Sequence, residues 1–367
     1  MKHFFFFSGF VFALFLILLV SGCSDDDPSG QTYVGWAVGG PMTGGGTIIR
    51  TVNGGQTWVQ QGVSQIPDVF YNDVSAVDSL NAWVVGEGST GDDGSSYGTI
   101  LRTRNSGATW IRQGSAQNIP DTEFAGVSAV DGDVAWVVGG EGTVLKTIDG
   151  GNTWVQQAVG MLPNTSFQMV YAVDKENVWA VGSDNATTAV IIHTSDGGNT
   201  WVRQGEKDIP PDPQTYYAFI DVHAVDTKNA WAVGARSTVF VTTDGGQNWT
   251  NKTPGCVHFL DNNGVCLLTS LSGWVVSDSN NICFTTDGGD TWTKQAAPSA
   301  IDAPTLSSAL LGVTAVDANK AWVVGTNPIG DEHAIVFQTG DGGTVWQKQV
   351  PPANAGFRRV SFAGALR

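Results

Sequence analysis

The chain reads as an all-β protein, a seven-bladed β-propeller of four-stranded blades whose first blade is completed by the C-terminal strand. Three observations carry that reading. A "W[AV]V" segment recurs at Trp36, Trp83, Trp136, Trp179, Trp231, Trp274 and Trp322. A glycine turn followed by tryptophan recurs at Trp58, Trp110, Trp154, Trp201, Trp249, Trp292 and Trp346, so the two marks use all 14 tryptophans and leave none for a separate aromatic site. The spacing between equivalent marks, 43 to 54 residues, is that of propeller blades. Third, the ends complement each other. The first unit begins at "YVGWAVGG" without the "DVSAVD" strand that opens later units, and the tail "FRRVSFAGALR" offers a "VSF" segment with no unit of its own. The tail is expected to pair beside Trp36 and close the ring, which removes exposed sheet edges.

Within a unit, the four strands are clearest in the third: "AGVSAVD", "VAWVVGG", "GTVLKTID" and "NTWVQQ". Alternating Val, Ile, Thr and Trp between Gly and Asp turns favours strands, and no stretch after residue 30 sustains a helical period. A buried tryptophan removes roughly 150–250 Å² from water, which makes aromatic packing between blades the expected cohesion. The last strand of each unit carries polar and basic residues such as Arg112, Arg203, Lys252, Lys294 and Lys348, suited to an outer edge in water.

The repeated turn reads Thr-x-Asp/Asn-x-Gly-x-Thr-Trp, as in Thr194, Asp196, Gly198, Thr200 and Trp201. Its acidic position is filled by Asn53, Asn105, Asp149, Asp196, Asp244, Asp287 and Asp341. A carboxylate there accepts hydrogen bonds from the turn's own amides, while the glycines supply positive φ. Asparagine in two units keeps the acceptor without the charge, so the residue is read as the peg of a turn and not as a catalyst or metal ligand. The turn resembles the Asp box of bacterial-neuraminidase-type repeats. The surrounding "WAVG…GT…TTDGG.TW" pattern, over residues 31–367, resembles the blades of Ycf48/Hcf136-type photosystem II assembly factors. That resemblance implies a non-catalytic propeller that holds a newly made membrane-protein subunit.

The N-terminus is set apart from the fold. Residues 1–22 carry Lys2 and His3, an apolar run over 4–20 and then small residues, the pattern of a secretory signal. Val20, Ser21, Gly22 and Cys23 resemble a lipobox, which implies acylation of Cys23 and an exported chain anchored to a bacterial membrane on its periplasmic or cell-surface side. Residues 23–30, with "SDDDPSG", read as a lipidated cysteine and flexible tether, and 31–367 as the propeller. The formal charge of −16 argues against nucleic acid as a partner. Of the other cysteines, Cys256 and Cys266 are close enough in sequence to close a short loop after export, which leaves Cys283 over.

No metal or cofactor is expected: there is no CxxC pair, the histidines show no ligand spacing, and "GDDG" lacks the spaced oxygens of a calcium loop. Nor does a nucleophile elbow or P-loop appear. Function is expected on the face whose loops vary in length, "GGPMTGGG", "GEGSTGDDGSSYG" and "RQGEKDIPPDPQTYYAFID". That face carries Glu87, Asp92, Asp93, Asp121, Glu123, Glu206, Asp208, Asp212, Asp331 and Glu332 among Tyr97, Phe124, Tyr216 and Tyr217. A second patch aligns Arg50, Arg102, Lys146 and His193 at one place in four successive units, a basic arc expected to face an acidic partner. The reading is a membrane-anchored scaffold for a protein partner, such as a membrane-protein segment. The alternative is an extracellular propeller of sialidase-like type that binds or cleaves glycan.

Overall fold

Apolar residues run consecutively through each tryptophan segment, as in Ala135–Gly139, so only a sheet with both faces covered can bury them. The computed structural model describes residues 33–40, 45–63, 66–91, 94–184, 188–209, 218–256, 260–298, 308–327, 334–352 and 355–364. Cys23, Asp92, Asp93, Asp212, Tyr216, Tyr217, His258, Asp331, Glu332 and His333 lie outside them. The described residues form seven antiparallel four-stranded sheets and no helix. Blade 1 is ordered Gly356–Phe362, Gly35–Gly40, Thr47–Thr51 and Val59–Gln61. The tail strand therefore supplies the innermost strand, with Trp36 opposite Ser361 and Ala37 opposite Val360.

Blades 2 to 7 begin with inner strands Tyr71–Ala76, Phe124–Ala129, Thr165–Ala172, Phe219–Ala224, Asn262–Leu267 and Ala309–Ala315. Each continues outward through its tryptophan strand to a short outer strand of two or three residues. In blade 2 the middle hairpin is longer than its neighbours: Ala82–Thr90 pairs with Ser96–Thr103, so much of "GEGSTGDDGSSYG" is strand and not loop.

The seven inner tryptophans are fully buried. Three of them meet outer tryptophans of the following blade edge to face: Trp83 with Trp154 at 5.8 Å, Trp136 with Trp201 at 5.7 Å, and Trp231 with Trp292 at 5.7 Å. At the closure Trp322 of blade 7 stacks on Phe362 of the tail at 3.7 Å, and its Nε1 donates to Gly54 O of blade 1. The closure is therefore aromatic too, but Phe362 of the tail stands between Trp322 and the outer Trp58, which it meets edge to face at 6.2 Å.

The pairing Cys256–Cys266 is corrected: the disulfide joins Cys256 to Cys283, across a Cα separation of 6.5 Å, and Cys266 is a buried free thiol. Strand alternation explains the difference. Cys283 and Val265 both sit opposite Val275, whereas Cys266 sits opposite Trp274 and so lies on the other face of the blade 6 sheet. In two earlier blades a buried isoleucine from the incoming loop shares a core cluster with a third-strand residue, Ile119 with Leu145 and Ile209 with Phe240. Blade 6 makes that contact covalently.

Candidate binding site at the channel mouth

Every inner strand carries a β-bulge near its start. One residue is skipped in the register: Arg358, Asn72, Ala125, Gln168, Ile220, Asn263 and Leu311 in blades 1 to 7. A bulge turns the skipped side chain out of the alternation, and all seven line one cavity of about 650 Å³ at the mouth of the central channel. The bulge also explains why most "W[AV]V" segments end in glycine. A Cβ at Gly39, Gly86, Gly139, Gly182, Gly234 or Gly325 would fall well inside contact distance of a carbonyl oxygen at the start of the inner strand or on the residue just before it. Blade 6 has Ser277 at this place, and its hydroxyl donates to Asn262 Oδ1 at 2.7 Å.

The mouth is polar on the side of blades 1 to 3. Asn72 Nδ2 donates to Glu123 Oε1 at 2.8 Å and to Phe124 O at 2.9 Å. Glu87 Oε2 accepts from the Phe70 amide at 3.2 Å. The Arg358 guanidinium lies 4.8 Å from the centre of the Phe70 ring. Desolvation lowers its pKa, Glu123 and Glu87 oppose that shift, and Arg359 adds to it. Arg359 reaches across the floor, where Nη1 donates to Asn263 O at 3.1 Å and to Leu311 O.

Below the mouth is a smaller channel cavity of about 120 Å³, and Arg359 lines both spaces. Asp73 accepts from the amides of Val74 and Val127, and Asp221 from those of Val222 and Val265, so each carboxylate bridges two neighbouring inner strands. Burial pushes the Asp73 carboxyl up to about 7 against the pull of Arg359 and the two amides, and raises Asp221 for the same reason. Two residues further along, hydroxyls do the bridging: Ala129 N donates to Ser75 Oγ at 3.1 Å and Ala172 N to Ser128 Oγ at 3.0 Å. The channel acids are ties between blades.

The Asp-box residues stand on the opposite face, in turns. Asp149 Oδ1 accepts from Thr147 Oγ1 and Thr153 N, and Oδ2 accepts from Thr153 Oγ1. Asn53 and Asn105 keep the amide acceptor role, but their Nδ2 donates to Thr57 and Thr109, which reverses one hydrogen bond. Asp196, Asp244 and Asp287 repeat the pattern, with Thr200, Asn248 and Thr291 donating to Oδ2, while Asp341 keeps the Oδ1 bonds from Thr339 Oγ1 and Val345 N.

The residues of the expected basic arc, Arg50, Arg102, Lys146 and His193, lie against the inner tryptophans, with Arg102 buried and the other three half-buried. The Arg50, Arg102 and Lys146 charges lie 5.5, 4.6 and 4.7 Å from Trp36, Trp83 and Trp136, and His193 stacks on Trp179 at 4.1 Å. Arg102 Nη1 donates to Gly150 O and Lys146 Nζ to Gly197 O, in each case an Asp-box turn of the next blade. Burial lowers the His193 pKa to about 4, despite Asp174, so it is neutral at pH 7. Arg102 and Lys146 thus tie their blades to the next, whereas Arg50 and His193 rest on the tryptophan of their own blade.

The acidic and aromatic rim also divides. Phe124 is fully buried, Tyr97 lies under Arg112, and Asp208 accepts from Trp249 N, whereas Glu87 and Glu123 remain exposed at the mouth. Among the described residues no group of three or more His, Cys, Asp or Glu is arranged to hold a metal.

Fold and site together define a class: a seven-bladed Asp-box propeller, closed by its own tail, with a preformed mouth on the face away from the Asp boxes. The family model described as photosynthesis system II assembly factor YCF48 matches residues 115–219 and 213–362, and the chain belongs to that family. No curated protein matches it. Among solved structures, a YCF48 bound to D1 peptide is 21% identical with a TM-score of 0.56, over 77% of this chain and 81% of that one. YCF48 from Cyanidioschyzon merolae is 20% identical, with a TM-score of 0.54, over 76% and 85%. A GH74 xyloglucanase from Xanthomonas campestris shares 12% identity at a TM-score of 0.60, over 90% of this chain and 53% of its own. At these identities the solved structures speak to fold alone.

Proposed function

We propose that the chain is an exported scaffold, tethered to a bacterial membrane through lipidated Cys23, whose channel mouth holds an extended segment of a protein partner and performs no chemistry on it. The observation that carries this is the set of seven bulges, which aims one side chain from every blade into a single cavity on a rigid ring. The family supports an assembly role, and a relative bound to D1 peptide supports a peptide as occupant. On this reading the partner is a segment of a membrane protein under assembly. The channel carboxylates Asp73 and Asp221 suit a scaffold, since both oxygens of each are engaged by backbone amides.

A photo-crosslinking residue at Gln168, in the mouth, tests the reading against one at Asn152, on the Asp-box face. In intact membranes the mouth probe is expected to capture one defined protein and the Asp-box probe none. Capture from the Asp-box face alone would overturn the assignment. In the same preparation Cys23→Ser is expected to move the chain into the soluble fraction, and persistence on the membrane would refute lipid anchoring.

A further inference from the structure

The mouth is not chemically uniform. On the side of blades 1 to 3, an aromatic ring, two carboxylates and a buried amide converge. Phe70 is half-buried, and its backbone amide fixes Glu87 through Oε2. Glu123 is fixed through Oε1 by Asn72. The second oxygen of each carboxylate has no hydrogen-bond partner among the described residues, and neither forms an ion pair there. Asn72 is 5% exposed, its Nδ2 is fully used, and its Oδ1 has no partner.

The group that sits over Phe70 is Arg358, the bulged residue of the tail strand, whose side chain remains exposed. Its guanidinium faces the ring and feels both glutamates electrostatically, yet it pairs with neither. An aromatic face flanked by open carboxylate oxygens and a spare amide acceptor is the chemistry of a receptor for a cation that carries N–H donors.

We propose that Phe70, Glu87, Glu123 and Asn72 form a subsite for an arginine or lysine side chain of the bound segment, and that Arg358 occupies its aromatic wall until that side chain displaces it. The inference rests on the mouth being the partner site. It adds the sign of the charge recognised and an internal competitor. An incoming basic residue takes the Phe70 face and pairs with the free glutamate oxygens, while Arg358 swings into the open mouth, where water solvates it. The strongly acidic chain, with a formal charge of −16, would steer such a segment inward.

The test uses the full chain and two short probe peptides of equal length, one with a central arginine and one with a central glutamate, titrated by calorimetry. Arg358→Ala removes a side chain that the bulge holds clear of the sheet, so the fold should survive, and a thermal melt checks this. The variant is expected to bind the arginine peptide about fivefold more tightly than the unaltered chain, in line with release of one cation–π contact. Adding Glu123→Gln to Arg358→Ala is expected to cancel that gain. If Arg358→Ala leaves arginine binding unchanged, or weakens binding of the glutamate peptide instead, Arg358 is a contact for anions and the proposal falls. Crosslinking from Gln168 would still report whether the mouth binds a partner at all, so the two failures are separable.

Discussion

A single side chain in this ring either holds its own turn or ties one blade to the next, and its chemistry follows from that duty. In the Asp box the threonine and aspartate hold the turn, while Gly150 and Gly151 take φ values of 71° and 87°. Asp149 is half-buried, and its pKa is lowered chiefly by the Thr153 hydroxyl and amide. The carboxylate therefore matters as an acceptor. Asp149→Asn should be nearly silent, because Asn53 and Asn105 already show the amide form with one hydrogen bond reversed. Asp149→Ala, which removes the acceptor, should lower Tm by about 1–2 °C. Differential scanning calorimetry of the two variants checks this, and equal losses would mean that charge, not hydrogen bonding, holds the turn. Tying blades together explains Arg102 and Lys146, whose charges are spent on tryptophan faces and on carbonyls of the next blade. Residue type and repeat position suggested a basic patch, but repeat position cannot say which side of a strand a neighbouring blade covers.

At the scale of the strand, the bulge is the feature that converts a generic propeller into one with a mouth. The sequence showed the strands plainly, because tryptophan, valine and glycine recur at fixed places. It hid the bulges, because Arg358, Asn72, Ala125, Gln168, Ile220, Asn263 and Leu311 share no chemical type. The readable trace was the partner's glycine: six of seven "W[AV]V" segments continue into Gly, where a Cβ would strike a carbonyl at the start of the inner strand or just before it. Gly139→Ala is accordingly expected to cost about 2–3 kcal/mol, an overpacking penalty against backbone that has little room to move. Urea unfolding measures it, and a loss under about 0.5 kcal/mol would show that the bulge yields easily. The cysteines teach a related lesson. Sequence distance favoured Cys256 with Cys266, but strand alternation places Cys266 and Cys283 on opposite faces, and only Cys283 faces the incoming loop.

For the whole ring, the charges buried in the channel and those exposed in the turns set opposite limits on pH. The Asp-box carboxyls Asp196 and Asp287 are held at about 2 by threonine hydroxyls and amides, below the ordinary 3.8. Their contribution is complete above about 4 and is lost as pH falls towards 2. Asp73 is displaced the other way, to about 7. Between pH 4 and 7 the unfolded chain releases this proton while the folded ring retains it, so its term weakens the fold as pH rises through that window. His193, held near 4 by burial, acts in the opposite sense between about 4 and 6.5, since there the unfolded chain binds the proton that the folded ring refuses. The two slopes partly cancel in the unaltered protein, and a plain pH profile would conceal both. Asp73→Asn separates them. The amide cannot ionise and keeps only one of two acceptors, so the variant should be least stable relative to the unaltered chain near pH 4. That gap should change by a few kcal/mol by pH 7, about 1.4 kcal/mol for each unit of the Asp73 displacement. Chemical unfolding of both proteins at half-unit steps from pH 4 to 8 gives the difference directly. Parallel curves would mean that Asp73 is ionised throughout, with Arg359 and the two amides outweighing its burial in the channel wall.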